Sequence, residues 1–207
     1  MIGMTTMASA EDKAAPAAAA APAAETKAAP EAAPVDLEAA KHAAEKRAAA
    51  AAAPGAKGGG KKGEDGKYLL PDGTMTYNIA EDGTVDWYTY SGYKRYHSEC
   101  HVCHGPGGDG STFAPALRDS LKVLDYTKFV TVVMSGQQRD VAGTKYIMPA
   151  LGDNPNVACF IDDLYAYIKA RSDDVLPFGR PEKREAKTDA AKKFEDECFA
   201  SLTPAAK

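Results

Sequence analysis

Large apolar side chains in this chain of 207 residues are concentrated after residue 67. From Lys13 to Lys62 the sequence consists mostly of Ala, Pro, Lys, Glu and Gly, and Val35 and Leu37 are its only large apolar residues. Such a segment cannot bury enough surface to offset the entropy that is lost on ordering. The predicted division is a disordered, Ala/Pro/Lys-rich tail over residues 11–66, a folded domain over 67–183 and a C-terminal helical appendage over 184–207.

Within the folded part, hydrophobic periodicity predicts one short strand and four helices. The stretch Thr74–Ile79 alternates polar and apolar residues between two turn signals, which predicts a strand in a β-hairpin. Tyr93, Tyr96 and Cys100 recur at steps of three and four residues, which predicts a helix with an aromatic face. The predicted helices span residues 91–104, 125–135, 154–171 and 188–202. The predicted fold class is therefore all-α, with a short β-hairpin ahead of the first helix.

The first helix ends in the pentad Cys-His-Val-Cys-His at residues 100–104, the spacing by which a haem is attached through two thioethers. Cys100 and Cys103 are almost one helical turn apart, so both sulfurs can reach one porphyrin. His104 follows in a position to ligate the iron. Half of a zinc site, a thioredoxin-like redox pair and a chance match are the alternatives. Zinc would need a second ligand pair at knuckle spacing, which Cys159 and Cys198 do not provide.

Met148 is the candidate for the second axial ligand of the iron. It precedes a proline in a loop before the last helix of the domain, and a residue before proline favours extended backbone. Met75 and Met134 fall in the predicted strand and in a helical core pattern instead. A gap-filling role in the core is the alternative for Met148. His97 and His101 lie on the helix of the pentad, and we interpret them as surface or propionate contacts.

Charge and loop chemistry argue against several other classes of protein. The formal net charge is −4, and this acidic balance disfavours nucleic-acid binding. The aromatic run Trp87–Tyr96 is therefore expected to pack against the porphyrin and the last helix rather than to stack nucleobases. The loop Gly105–Gly110 resembles a phosphate-binding loop, but it follows a helix and no Lys-Ser or Lys-Thr comes after it. No apolar run approaches the length of about 18 residues that a membrane span needs.

The N-terminus and the cysteines indicate an oxidising compartment. Residues 7–10 resemble the small-residue end of a secretory signal, so residues 1–10 are interpreted as a signal-peptide remnant, with an ordinary Ala-rich tail as the alternative. Haem c is attached after export in bacteria, which favours the periplasm. With the pentad cysteines taken by haem, Cys159 and Cys198 form an even pair for which a disulfide is expected. Two free thiols or an intermolecular bond stay open.

The chain resembles class I c-type cytochromes over residues 67–183. The matching positions are Gly92, Tyr96, the pentad, Pro115, Leu117, Met148 with Pro149, and Tyr167. Residues 87–93, 96–106 and 152–159 are further similar to the four-cysteine cytochromes associated with methanol metabolism. The resemblance implies a single-haem class I cytochrome c fold with one covalent haem c. It also implies that His104 and Met148 are the axial ligands and that the carbonyl of Pro115 holds the imidazole of His104.

The same resemblance implies the partners. Electrons would arrive one at a time from a methanol dehydrogenase that depends on pyrroloquinoline quinone (PQQ), especially of the lanthanide type. They would leave to a downstream cytochrome c or a terminal oxidase. The chain would then be a periplasmic, monomeric electron carrier that catalyses no bond chemistry of its own. A haem-based sensor or ligand-binding protein and a cytochrome subunit tethered to a terminal oxidase complex are the alternatives.

Overall fold

The computed structural model describes residues 58–141 and 143–202, so the predicted signal remnant and the predicted disordered tail up to residue 57 lie outside the described residues. Seven helices and two small antiparallel sheets make up the part that it describes. In chain order the elements are β1 (Lys61–Lys62), β2 (Tyr68–Leu69), β3 (Met75–Thr76), α1 (Trp87–Glu99), α2 (His101–His104), α3 (Leu117–Ser120), α4 (Tyr126–Ser135), β4 (Gln137–Val141), β5 (Thr144–Met148), α5 (Pro155–Ala158), α6 (Ile161–Ser172) and α7 (Asp189–Leu202).

The predicted hairpin is a three-stranded sheet that begins earlier in the chain. β1, β2 and β3 pair in order, with Lys61 opposite Leu69 and Leu69 opposite Met75. Gly60 packs so closely that a Cβ there would lie 2.4 Å from Cγ2 of Thr76. Ordered structure therefore extends ahead of the predicted boundary at residue 67. Apolar periodicity could not locate this boundary, because backbone pairing and a glycine contact attach the segment.

α1 and α6 cross at the centre of the fold. Asp86 is the N-cap of α1, and its Oδ1 accepts a hydrogen bond of 2.8 Å from the backbone N–H of Thr89. This cap starts the helix at Trp87, four residues before the predicted start at Ser91. Near the crossing the rings of Tyr96 and Tyr167 lie 5.3 Å apart, and both side chains are almost fully buried. The crossing fixes the helix that leads into the pentad.

The helix predicted over residues 154–171 is two helices. α5 ends at Ala158, and α6 begins at Ile161 after a break at Cys159 and Phe160. Phe160 is 1% exposed, and its ring lies 5.7 Å from that of Phe199 on α7. The break turns both residues towards α7, where Cys159 forms a disulfide with Cys198. A contact between distant parts of the chain therefore overrides the local helical pattern.

The predicted C-terminal appendage is helical, but it is part of the same domain. Arg184 pairs with Val85 in a parallel bridge, and the N–H of Glu185 donates to the carbonyl of Val85 at 2.8 Å. Lys62 of β1 forms an ion pair of 2.7 Å with Glu185, and Ala191 of α7 is buried. None of the helices that the structure describes combines the length and apolar character needed to cross a bilayer.

Candidate haem-attachment site

The pentad lies where α1 passes into α2, with its two thiols unbridged. Cys100 is half-buried and Cys103 is exposed, and these are the free cysteines of the described residues. Burial raises the pKa of the Cys100 thiol to about 12, and the charges of Glu99 and Cys103 act in the same direction. The sulfur of Cys100 therefore lies in an apolar environment, which suits a thioether better than a thiolate.

His104 is held in one orientation by a backbone carbonyl. Its ring is 7% exposed, and Nδ1 lies 2.9 Å from the carbonyl oxygen of Pro115. Since a carbonyl only accepts, Nδ1 carries the proton and Nε2 keeps its lone pair. Burial lowers the pKa of His104, and the bond to Pro115 acts against this shift. The imidazole is thus neutral and presents one free ligand nitrogen.

The glycine loop after the pentad brings Pro115 to His104. The N–H of Gly110 donates to the carbonyl of His104 at 2.9 Å, and the hydroxyl of Tyr96 donates to the carbonyl of Gly105 at 2.5 Å. Gly105 and Gly110 have φ values of 76° and 84°, a region that L side chains rarely adopt. A Cβ on Gly105 would also lie 2.8 Å from the oxygen of Gly110. These glycines therefore let the loop turn sharply.

A buried arginine holds this loop, and sequence reasoning missed it. The guanidinium of Arg171 on α6 donates to the carbonyl of Gly107 at 3.2 and 3.3 Å and to that of Leu176 at 2.6 Å. Arg171 is 6% exposed, and these acceptors are uncharged. The spacing in the sequence could have indicated it, because Arg171 falls four residues after Tyr167 on the buried face of α6. A buried cation requires hydrogen-bond acceptors.

Met148 ends a β-hairpin rather than lying in an irregular loop. β4 and β5 pair antiparallel, with Met148 opposite Gln137. Residues two apart in a strand share a face, so Met148 and Tyr146 lie on one face together with Val141, the partner of Thr144. Tyr146 is 40% exposed and Val141 is 56% exposed. The face that carries Met148 therefore combines the exposed apolar side chains of Tyr146 and Val141 with the polar side chains of Gln137, Arg139 and Thr144.

The base of this hairpin is fixed against α4. Gly136 ends that helix, and a Cβ on Gly136 would lie 2.8 Å from the carbonyl oxygen of Met148. Beyond the hairpin, the N–H of Leu151 donates to the carbonyl of Val133 at 3.0 Å, and that of Gly152 donates to the carbonyl of Met134 at 3.1 Å. Met134, predicted as a core residue, thus supports the loop through its backbone. Contacts with α4 therefore fix the backbone at Met148 and in the residues that follow it.

The donors that the sequence singled out fit a covalently bound haem. Two thiols about one helical turn apart suit the two thioethers, and a fixed neutral imidazole suits the proximal position. Within the described residues, no group of three or more His, Cys, Asp or Glu side chains could hold a metal ion by itself. His97 and His101 stack on each other on the pentad helix, with ring centroids 5.7 Å apart.

No family model matches the chain, but individual relatives do. It is 44% identical over 100 residues to cytochrome c-555 of Methylococcus capsulatus (strain Bath), a match that covers 48% of this chain and 75% of the relative. The chain belongs to the c-type cytochromes. This cytochrome is also 50% identical over 137 residues to cytochrome c-553I of Paracoccus denitrificans. That alignment covers 66% of this chain and 61% of the relative, so the cytochrome spans less than two thirds of the Paracoccus protein.

A solved structure gives the same result. The cytochrome matches the crystal structure of the c-type cytochrome XoxG from Methylobacterium extorquens AM1 with a TM-score of 0.65 and 48% identity. The match covers 74% of this chain and 90% of that one. A mostly helical cytochrome c fold, a covalently bound haem c and a role in electron transfer are confirmed.

Proposed function

We propose that this cytochrome is a periplasmic, monomeric electron carrier that accepts single electrons from a PQQ-dependent methanol dehydrogenase. A downstream cytochrome c or a terminal oxidase takes the electrons on. The observation that carries the proposal is the 2.9 Å contact between Nδ1 of His104 and the carbonyl of Pro115, which presents a neutral imidazole for iron. The similarity to XoxG and the resemblance of residues 87–93, 96–106 and 152–159 to cytochromes of methanol metabolism support the choice of donor.

Each site residue has a separate role in this proposal. Cys100 and Cys103 would hold haem c through thioethers, and His104 and Met148 would be the axial ligands of the iron in a class I cytochrome c. The bound haem supplies an iron that gains and loses one electron. Pro115 orients the imidazole and raises its basicity through Nδ1. The neutral sulfur of Met148 favours the reduced state and raises the reduction potential.

Two exposed apolar side chains beside Met148 on the β4–β5 hairpin support a closed site rather than a sensor. Tyr146 and Val141 share that face with Met148, and a cofactor against it would remove their exposed area from water. A two-stranded hairpin has little stability of its own in water, so such a contact would also stabilise the hairpin. Both axial positions would then be filled by side chains, leaving no site for an exchangeable ligand. With such an arrangement the protein would transfer electrons and would catalyse no making or breaking of bonds in a substrate.

The location is supported by the remaining cysteines. Cys159 and Cys198 form a disulfide, a bond that persists in oxidising compartments such as the bacterial periplasm. Haem c is attached to the pentad cysteines after export in bacteria, which favours the same compartment.

The test mixes the oxidised holoprotein with purified PQQ-dependent methanol dehydrogenase and methanol while the haem spectrum is followed. We expect reduction of the haem that requires both enzyme and methanol. The donor assignment is wrong if the haem stays oxidised while another cytochrome is reduced in the same mixture. Ready binding of carbon monoxide by the unmutated ferrous form would instead favour the sensor.

A further inference from the structure

The segment that follows Met148 is attached to the last turn of the pentad helix by two side-chain contacts. Nδ2 of Asn154 donates to Oε2 of Glu99 at 2.8 Å, and a guanidinium nitrogen of Arg95 donates to Oδ1 of Asn156 at 2.8 Å. Arg95 and Glu99 are four residues apart on α1 and therefore lie on the same face. Glu99 directly precedes Cys100. The segment 149–154 directly follows Met148 and is called the ligand loop below. The pair Asn154–Glu99 thus joins the end of the ligand loop to the start of the pentad.

The Asn154 side chain can make this contact in one orientation. Its Oδ1 accepts a hydrogen bond of 2.9 Å from the N–H of Asn156 and so caps α5. The amide nitrogen is left to donate, and the Glu99 carboxylate, which only accepts, meets it. Cap and contact therefore use different atoms of one side chain. This separation allows the contact to be removed without the cap.

The C-terminal end of α5 is also held in place, by contacts of Phe160 and by the disulfide of Cys159. The guanidinium of Arg95 lies 3.6 Å from the ring centroid of Phe160, and the ring of Phe160 packs against Phe199. The disulfide between Cys159 and Cys198 fixes the same corner to α7. Asn154 therefore extends from a rigid support, because α5 cannot shift without disturbing this stack and the disulfide. A contact made by a rigid support can restrain the loop that precedes it.

We propose that Asn154 is a positioning residue for Met148, since its bond to Glu99 holds the ligand loop closed against the pentad helix. The inference rests on the proposed function in one respect, namely that Met148 ligates the iron. The contacts of Leu151 and Gly152 with α4 restrain the loop on one side, and Asn154 restrains its far end. If the loop opened, the Met148 sulfur would leave the iron and an external ligand could bind in its place. Loss of a hydrogen bond to a charged group then raises the open population about tenfold.

The test uses ferric holoprotein titrated with imidazole, which competes with Met148 for the sixth position. Asn154→Asp keeps the cap of α5, because Asp is a good N-cap, but places a carboxylate against Glu99 in place of the donor. We expect its apparent Kd for imidazole to fall about tenfold, with faster loss of the far-red band of the sulfur-ligated ferric haem. Glu99→Gln combined with Asn154→Asp restores a donor facing an acceptor. That double variant should return to within about threefold of the parent.

Two controls separate positioning from other effects. Ser98→Asp adds a carboxylate at an exposed position of the same helix turn, away from Asn154, and should leave the Kd for imidazole unchanged. Met148→Ala should abolish the far-red band and give the tightest imidazole binding. If Met148→Ala does so while Asn154→Asp stays within twofold of the parent, the positioning role is overturned and the axial ligand stands. If Met148→Ala changes neither readout, the axial assignment fails and the positioning role fails with it.

Discussion

The backbone of Gly92 in α1 lies directly against the carbonyl of Asp163 in α6, so that a Cβ on Gly92 would come within 1.9 Å of that oxygen. The same Cβ would lie 2.8 Å from Cβ of Tyr167. Neither neighbour can yield, because one is helical backbone and the other is the root of a fully buried side chain. The crossing that supports the pentad helix therefore depends on the absence of one side chain.

Replacement of Gly92 by Ala should destabilise the protein despite the better helix propensity of alanine. The methyl group must push α1 away from α6, and overpacking of this kind costs about 1–3 kcal/mol or more. We expect urea denaturation of the holoprotein to show that loss. Ser98→Ala, at an exposed position of the same helix, is the matched control and should change stability by less than about 0.5 kcal/mol. Equal stability of the two variants would contradict the packing argument.

Stability should fall between acidic and weakly alkaline pH because of one buried carboxyl. Burial raises the pKa of Asp163 to about 8, with Asp162 and Asp86 adding to the shift, while the Ser91 hydroxyl and the Lys67 ammonium oppose it. In the unfolded chain the group titrates near its ordinary value of about 4. Between these values the folded state binds the extra proton, so the stabilising contribution is complete below about pH 4 and is lost as pH rises towards 8.

Asp163→Asn isolates this effect, since the amide does not titrate. The difference in free energy of unfolding between parent and variant should change across that window and become constant above about pH 8. Unfolding curves at a series of pH values measure it. Asp119→Asn, the same substitution at an exposed position, is the matched control. A parent-minus-variant difference that stays flat from pH 4 to 8 would show that Asp163 is ionised in the folded protein.

Loss of the disulfide should weaken the whole domain rather than release a tail. Cys159 and Cys198 close a loop of 39 residues, for which the chain-entropy estimate is about 4 kcal/mol. We expect Cys159→Ser with Cys198→Ser to lower the free energy of unfolding by about 2–4 kcal/mol in one cooperative transition. The cooperativity follows from the packing of Phe199 on Phe160 and of Glu185 beside Val85. Separate melting of α7 before the rest would contradict it.

Arg171→Met should lower the free energy of unfolding more than the replacement of a surface cation does. The variant removes the donors to the carbonyls of Gly107 and Leu176 and leaves both partly desolvated. We expect a loss of about 2–4 kcal/mol in thermal or urea unfolding and faster amide exchange in the glycine loop. Lys122→Met, which removes an exposed cation that pairs with the exposed Asp119, is the control and should be nearly neutral. An Arg171→Met protein as stable as that control would mean that water replaces the guanidinium at no cost.

Short-range signals in the sequence were sufficient for some elements and not for others. The helix predicted over residues 125–135 lies within one residue of α4, because its N-cap Asp125 and its C-cap Gly136 act within one turn. The β4–β5 hairpin was missed, since its residues are mostly exposed and show no apolar alternation. The break at Cys159 was missed because its causes, Phe199 and Cys198, lie far along the chain. For the site, the pentad and the resemblance pointed to His104, Pro115 and Met148. The spacing of Arg171 on α6 indicated its burial but not its partner Gly107, and the contact of Asn154 with Glu99 joins residues far apart in the chain, so no local pattern showed either contact.

The hairpin separates two parts of the molecule that can change independently. Met148 pairs with Gln137 at its base, directly after α4, whereas Gly143 lies at its tip with open space around it. A short insertion at the tip that carries one labelled cysteine would leave the register at the base, and hence the position of the sulfur, unaltered. The tip is therefore a suitable attachment point for a spectroscopic probe that reports the approach of a redox partner without perturbing the iron.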